Sequence, residues 1–212
     1  MVNVLYIHGM GGGGDSRIPS ILNDALSTKG VRIIVHTYDF DPEIAHTQIE
    51  EWVNIYRPSL VIGESLGAIH AIRVRHIPHL LISPAINAPI HLGRIFCPLS
   101  LIPGMTMLLD RIYRPREGDR QILHFSYGIL RKYIAHRREA MKNTPRTGSH
   151  DSFHAFIGTR DHYRKFGVVS IRAWKRHFGD TCTLYDGTHY TEDEFIRGLI
   201  VPEICNILGI KQ

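Results

Sequence analysis

Gly63-Glu64-Ser65-Leu66-Gly67 sets one serine between two glycines in the pattern G-x-S-x-G. In that pattern a serine can be presented as a nucleophile. An apolar run, Leu60-Val61-Ile62, leads directly in, and a helix-compatible run from Leu66 to His76 leads out. A turn of this kind between strand and helix holds its serine in a strained conformation, while flanking glycines keep neighbouring backbone from colliding. The hydroxyl then projects from a sheet edge, where a substrate can reach it. The competing role for Ser65 is an ordinary helix N-cap, with glycines that only tighten the turn.

A serine hydroxyl is a weak nucleophile until a base takes its proton, and the base needs an acid to orient it. Where the serine sits on a strand-to-helix elbow, the chain order is serine, then acid, then histidine. Asp161 closes the strand-like run His154-Ala-Phe-Ile-Gly-Thr-Arg-Asp161, and His189 follows the run Thr181–Gly187 in the loop Gly187-Thr188-His189-Tyr190. Each has a plainer alternative: a cap for the segment after Asp161, and a surface-loop histidine. Asp186 and His162 are rivals, one three residues before His189 and the other adjacent to Asp161. Glu64, inside the elbow, is expected to form a salt bridge or to line the mouth of the site. His150 and His154 have the i, i+4 spacing of a metal pair but lack the glutamate of H-E-x-x-H, and Phe153–Ile157 reads as strand. No metal and no cofactor is called for.

The second chemically suggestive stretch is Gly9-Met10-Gly11-Gly12-Gly13-Gly14 after the apolar run Val2–His8. It matches the dinucleotide fingerprint G-x-G-x-x-G, with Asp39 or Asp41 near the place of a ribose-binding acid. A run of glycines satisfies many glycine patterns by accident, and that reading leaves Ser65, Asp161 and His189 without a role. A P-loop is excluded, because no Gly-Lys-Ser/Thr follows. His8 reads as a residue that fixes the loop or packs beneath it.

These residues need a scaffold, and the hydrophobic pattern supplies one. Strand-like segments at 2–8, 31–40, 59–65, 79–86, 154–161 and 181–187 alternate with helical ones. Ile18 to Thr28 carries an apolar stripe closed by Gly30. Asp41-Pro42-Glu43 provides an N-cap, an N1 proline and an acidic first turn for a helix that ends near Arg57-Pro58. Helices around Ser170–His177 and through Leu208 complete the alternation. Near-continuous apolar strands separated by helices predict an α/β fold with a mostly parallel sheet of about six strands. The 212 residues are read as a single domain.

Residues 90–150 interrupt the alternation with prolines and short amphipathic pieces. Nine Arg, Lys132 and Lys142 stand there against Asp110, Glu117, Asp119 and Glu139, so this segment is +7 within a chain of net charge +5. It predicts a basic helical insertion between core strands, either a solvated face or a lid over the site. Its aromatic residues fit helix packing better than a stacking platform for nucleic acid. The longest oily segment, Ile95 to Leu109, is broken by Pro98 and Pro103, so no membrane span is expected. Three cysteines, an odd number with no C-x-x-C spacing, and the absence of a signal-peptide pattern after Met1 point to the cytoplasm.

The elbow Gly63–Gly67, Asp161 and His189 in that order, and Ile7-His-Gly-Met-Gly-Gly12 after the first strand resemble the α/β-hydrolase superfamily. Gly63-Glu-Ser-Leu-Gly-Ala68 and Gly158-Thr-Arg-Asp161 resemble small bacterial serine esterases of the YqiA/YcfP-like group. The likeness covers 2–89 and 154–209 in outline. It implies a serine hydrolase acting on a carboxylic ester or thioester, with Ser65, Asp161 and His189 catalytic. It further implies an oxyanion hole of the Met10 and Leu66 N–H groups, with Gly9, Gly11 and Glu64 beside the substrate. The basic insertion suggests an anionic substrate. The alternatives are a scaffold protein with an idle site and, less favoured, the dinucleotide binder.

Overall fold

The computed structural model describes residues 1–115 and 117–211. Arg116, one of the arginines counted in the basic segment, lies outside the described residues, as does Gln212.

Six strands form one sheet in the order β2-β1-β3-β4-β5-β6, and every neighbouring pair is parallel. The strands are β1 (Val2–Ile7), β2 (Val31–Val35), β3 (Leu60–Glu64), β4 (His79–Ile82), β5 (Phe153–Gly158) and β6 (Cys182–Tyr185). Their side chains alternate between the two faces. Val4, Tyr6, Leu60, Ile62, Leu80 and Ile82 pack towards Ile18 and Leu22 of α1 (Arg17–Leu26) and Ile204 of α9 (Val201–Leu208). Leu5, Ile7, Val61, Leu81, Ala155 and Ile157 face the opposite way. There they meet α2 (Pro42–Tyr56), α3 (Gly67–Arg73) and α8 (Ile171–Phe178). Because both faces are covered, the strands could be apolar almost throughout, which is why their pattern reads as runs rather than alternation.

Helix α2 begins as its sequence dictates. Asp41 is the N-cap, its carboxylate accepts from the Glu43 N–H at 3.0 Å, and Pro42 occupies the first turn. The strands are shorter than the strand-like segments of the sequence, β2 and β4 most of all. β2 is an edge strand whose register pairs Tyr6 with Val35. Beyond that point β1 turns away into the glycines, so residues 36–40 have no strand to pair with. β4 stops at Ile82 because Ser83 takes a left-handed φ of 47° and Pro84 follows.

Between β4 and β5 the chain is helical in pieces: α4 (Ala88–His91), a π turn (Leu92–Phe96), α5 (Cys97–Ser100), α6 (Met105–Ile112) and α7 (Tyr127–Ala140). These enclose a third apolar cluster in which Phe40, Leu92, Leu109, Phe125 and Tyr133 are buried with Leu66 of the elbow. Several of the segment's cations anchor it to the body. Lys132 lies 2.7 Å from Asp41 and 2.8 Å from Glu43 at the start of α2, and Arg120 lies 2.8 Å from Asp15. Arg137 donates to the Ile86 carbonyl at 2.7 Å and to Asn87 Oδ1 at 3.1 Å.

In a parallel sheet every strand ends at the same edge, so the loops after β1, β3, β5 and β6 open on one side. They carry His8–Gly14, Ser65, Asp161 and His189.

Candidate active site

Ser65 is the first residue after β3 and sits at φ 50°, a left-handed conformation that costs a non-glycine residue of order 1–3 kcal/mol. The two elbow glycines make room for this turn. A Cβ on Gly63 would lie 2.7 Å from Ala71 Cβ and 2.8 Å from Ala68 Cα, inside α3. One on Gly67 would lie 2.3 Å from the His8 carbonyl oxygen. The strained turn is fixed by backbone bonds: the Ser65 N–H donates to Ile82 O at 2.9 Å, and the Ser65 carbonyl accepts from Ala85 at 3.0 Å.

His189 reaches Ser65 from the far edge of the sheet. Its Nε2 stands 2.9 Å from Ser65 Oγ, and its Nδ1 stands 2.7 Å from Asp161 Oδ2. An ionised carboxylate only accepts, so Nδ1 carries the hydrogen and Nε2 offers its lone pair to the serine hydroxyl. The Asp161 side chain is 0% exposed and that of His189 is 6% exposed. The second Asp161 oxygen accepts from the Tyr163 N–H at 2.8 Å, so it also caps the short 3-10 turn His162–Arg164. The rivals point elsewhere. Asp186 is 80% exposed and pairs with Arg160 Nε at 3.0 Å, and the His162 ring packs on Tyr163 with centroids 4.1 Å apart.

The loop that carries His189 is pinned on several sides. The Arg17 guanidinium donates to the carbonyls of Tyr190 and Thr191 (the latter at 2.6 Å) and pairs with Asp193. The Thr188 N–H donates to the Glu192 carboxylate at 3.2 Å, and Tyr163 meets the imidazole edge-on at 4.6 Å. The sequence reading missed Arg17 and Tyr163. Arg17 lies 172 positions before His189 in the chain (189 − 17) and acts through backbone carbonyls, so no local pattern marks it.

The glycines after β1 do two different things. Gly9 faces the nucleophile: a Cβ there would lie 3.1 Å from Ser65 Cβ. Gly13 and Gly14 face the insertion instead. A Cβ on Gly13 would lie 1.7 Å from the Asp119 carbonyl oxygen, and one on Gly14 would lie 2.2 Å from Asp119 Oδ2. The amides of this loop are used internally. Gly11 N–H donates to Gln121 Oε1 at 3.1 Å, Gly12 to Gly9 O at 3.0 Å, Gly13 to Ser16 Oγ at 3.0 Å and Gly14 to Thr37 Oγ1 at 3.0 Å. A phosphate cradle needs such amides free, which runs against the dinucleotide alternative. Among the described residues the N–H groups of Met10 and Leu66 have no protein partner.

Beneath the loop His8 is fully buried. It stacks on Tyr38 at 4.3 Å and donates from Nδ1 to Gly9 O at 2.8 Å, and its Nε2 has no partner among the described residues. Burial pushes its pKa down to about 4, against a smaller opposing effect of that hydrogen bond. His8 is therefore a neutral packing residue, as its position suggested.

A cavity of about 260 Å³ opens over Ser65 and His189. Its walls include Ala85, Ala88, Leu92, Phe96, Phe125 and Val168, so the insertion supplies much of the lining. Gly9, Met10, Glu64 and Leu66 border it, but Gly11, expected beside the substrate, does not. Gly11 is turned towards Gln121 and Leu123. Glu64 forms no salt bridge among the described residues; Tyr6 donates its hydroxyl to Glu64 Oε2 at 2.7 Å. His154 bonds to Thr183 Oγ1 at 3.0 Å, and among the described residues no three His, Cys, Asp or Glu side chains are grouped as metal ligands.

Solved structures resemble this chain in fold. Est1E from Butyrivibrio proteoclasticus superposes with a TM-score of 0.64 at 16% identity, over 98% of this chain and 88% of that one. Alpha/beta hydrolase domain-containing protein 10 from mouse superposes at 0.63 with 12% identity, over 98% and 89%. This chain has the α/β-hydrolase fold. The type II thioesterase BorB from the borrelidin biosynthetic cluster shares it at a TM-score of 0.56 and 16% identity, over 98% and 91% of the two chains. The likeness is one of fold, and within the α/β-hydrolase fold it spans nearly the whole chain. No protein-family model and no curated protein matches the sequence.

Proposed function

We propose that this chain is a serine hydrolase that cleaves a carboxylic ester or thioester through an acyl-enzyme. The observation that carries the reading is the continuous hydrogen-bonded line from Asp161 through His189 to Ser65, at 2.7 and 2.9 Å, on the floor of an apolar cavity. Esterases and a thioesterase among the proteins that share the fold support the same class of reaction.

In the first step Ser65 Oγ attacks the substrate carbonyl carbon while its proton passes to His189 Nε2. The imidazolium that forms is stabilised by the Asp161 carboxylate against Nδ1–H. The carbonyl oxygen becomes an oxyanion, which the N–H groups of Met10 and Leu66 receive. Loss of one such donor typically costs about 2.7–4 kcal/mol of barrier. As the carbon–oxygen or carbon–sulfur bond breaks, Nε2 returns the proton to the leaving group. Water then repeats the sequence on the acyl-enzyme, with His189 first as base and then as acid.

The helices of 90–150 act as a fixed cover that supplies apolar walls and excludes water. No helix among the described residues is long and apolar enough to cross a membrane. Cys97, Cys182 and Cys205 are unpaired, which suits a reducing compartment such as the cytoplasm.

The test is turnover of p-nitrophenyl acetate and butyrate. The Ser65→Ala protein should retain its fold and lose hydrolysis by several orders of magnitude. Turnover at the wild-type rate in that variant would contradict the mechanism.

A further inference from the structure

The cavity over Ser65 is electrically lopsided. Glu64 is the one carboxylate among its described lining residues, which also include the histidines His91 and His189. No lysine or arginine is found among those lining residues, although the segment that roofs the cavity is the most basic part of the chain. Four of that segment's cations are turned to other tasks: Arg120 to Asp15, Lys132 to Asp41 and Glu43, Arg137 to the backbone at Ile86, and Lys142 to Glu139.

Glu64 itself is held in place without being neutralised. Its partner is the Tyr6 hydroxyl at 2.7 Å, and no cation among the described residues lies within ion-pairing distance of it. Tyr6 is fully buried, and its pKa is raised well above that of an ordinary phenol, first by burial and then by the Glu64 carboxylate. Tyr6 therefore stays a neutral donor. The negative charge of Glu64 remains beside the reacting serine, next to apolar walls that screen it poorly.

We infer that the site takes uncharged esters bearing a small apolar acyl or aryl group, and that Glu64 determines this specificity by turning anionic esters away. The cavity's volume, about 260 Å³, falls just below the roughly 300–1,000 Å³ typical of pockets for drug-sized ligands, which suits a short chain or a single ring. A like charge facing an incoming carboxylate is the repulsive element that discrimination of this kind requires. This reverses the expectation drawn from the bulk charge of residues 90–150. The inference rests on the proposed hydrolase reading for the identity of the reacting carbonyl, but its test does not depend on turnover.

Methyl 4-acetylbenzoate and monomethyl terephthalate are close in shape, and they differ by an acetyl group against a carboxylate. Their dissociation constants are measured by NMR titration against the Ser65→Ala protein. The neutral ester should bind at least tenfold more tightly. In Ser65→Ala/Glu64→Gln, where the amide oxygen can still accept from Tyr6, that ratio should fall at least fivefold. Glu64→Met, neutral and of similar length, should do the same if the glutamine variant folds poorly. Equal binding of the two esters in the presence of Glu64 would overturn the inference. So would a ratio unchanged by Gln and Met, or failure of both esters to bind. Hydrolysis that survives Ser65→Ala would instead contradict the hydrolase reading and leave this binding ratio standing.

Discussion

Asp161 divides its two carboxylate oxygens between two tasks. One accepts the Tyr163 N–H at 2.8 Å and caps a turn, and the other faces His189 Nδ1 at 2.7 Å. The sequence offered cap and orienting acid as competing readings, and the geometry accommodates both in one side chain. Asp161→Asn should therefore leave the cap in place but present an amide N–H to the imidazole, favouring the wrong tautomer. We expect kcat to fall by about 10⁴-fold, the effect such a change has in another serine hydrolase triad. Asp186→Asn, which disturbs an exposed pair with Arg160 and a hydrogen bond from Thr159, should change kcat less than about twofold. Steady-state kinetics on the two variants checks both. Ser65, Asp161 and His189 were legible because each closes or follows a strand-like run and their chain order is serine, acid, histidine. Gly11 was not, because its loop's length says nothing of which way each amide turns.

At the scale of elements, the glycine loop and the insertion form one unit. The backbone of Asp119 passes directly over Gly13, and the Gln121 N–H and side chain clamp Gly12 and Gly11 at 2.7 and 3.1 Å. This answers why five glycines are present where one would suffice for an oxyanion turn. Gly13 and Gly14 admit a second chain segment, Gly12 leaves room for the His8 side chain, and Gly11 takes a positive φ of 72°. Such a contact lies more than 100 positions away in sequence, so only the composition of the loop hinted at it. Gly13→Ala places a methyl group 1.7 Å from a carbonyl oxygen and must push the two segments apart. Overpacking of this kind typically costs about 1–3 kcal/mol. A lowered denaturation midpoint should accompany a reduced kcat, because Met10 shares the displaced loop. Gly30→Ala is the comparison, since a Cβ there meets nothing within 4 Å. It strains one left-handed residue far from the site, so it should lower stability without lowering kcat.

Across the whole molecule, the sheet and its two helical layers followed from apolar runs and caps, and the lengths of strands did not. β2 and β4 end where a neighbour departs or a residue turns left-handed, which are tertiary facts. Burial of histidine is another whole-molecule property, one that the sequence suggested for His8 alone. His8, His70 and His136 are fully or nearly buried, and His70 has no partner for either ring nitrogen among the described residues. Burial lowers the pKa of His8 to about 4 and that of His70 to about 3. In the unfolded chain both titrate near 6.5, so between that pH and their folded values the unfolded state binds more protons. Stability from these two groups is thus complete above about pH 6.5 and is lost as pH falls towards 4, by up to about 1.4 kcal/mol per pH unit for each. Urea denaturation from pH 7.5 to 4.5 should show this decline. In His70→Phe the slope should be shallower by about one proton's worth, whereas an unchanged slope would mean that His70 is protonated in the fold.

The proposed chemistry rests on Ser65 as a nucleophile activated by His189. Covalent labelling by a fluorophosphonate probe, with the modified peptide identified by mass spectrometry, tests it most directly. One adduct is expected, on Ser65, that is absent in Ser65→Ala and strongly slowed in His189→Ala. A folded protein that remains unlabelled, or that carries the adduct on another residue, would contradict it.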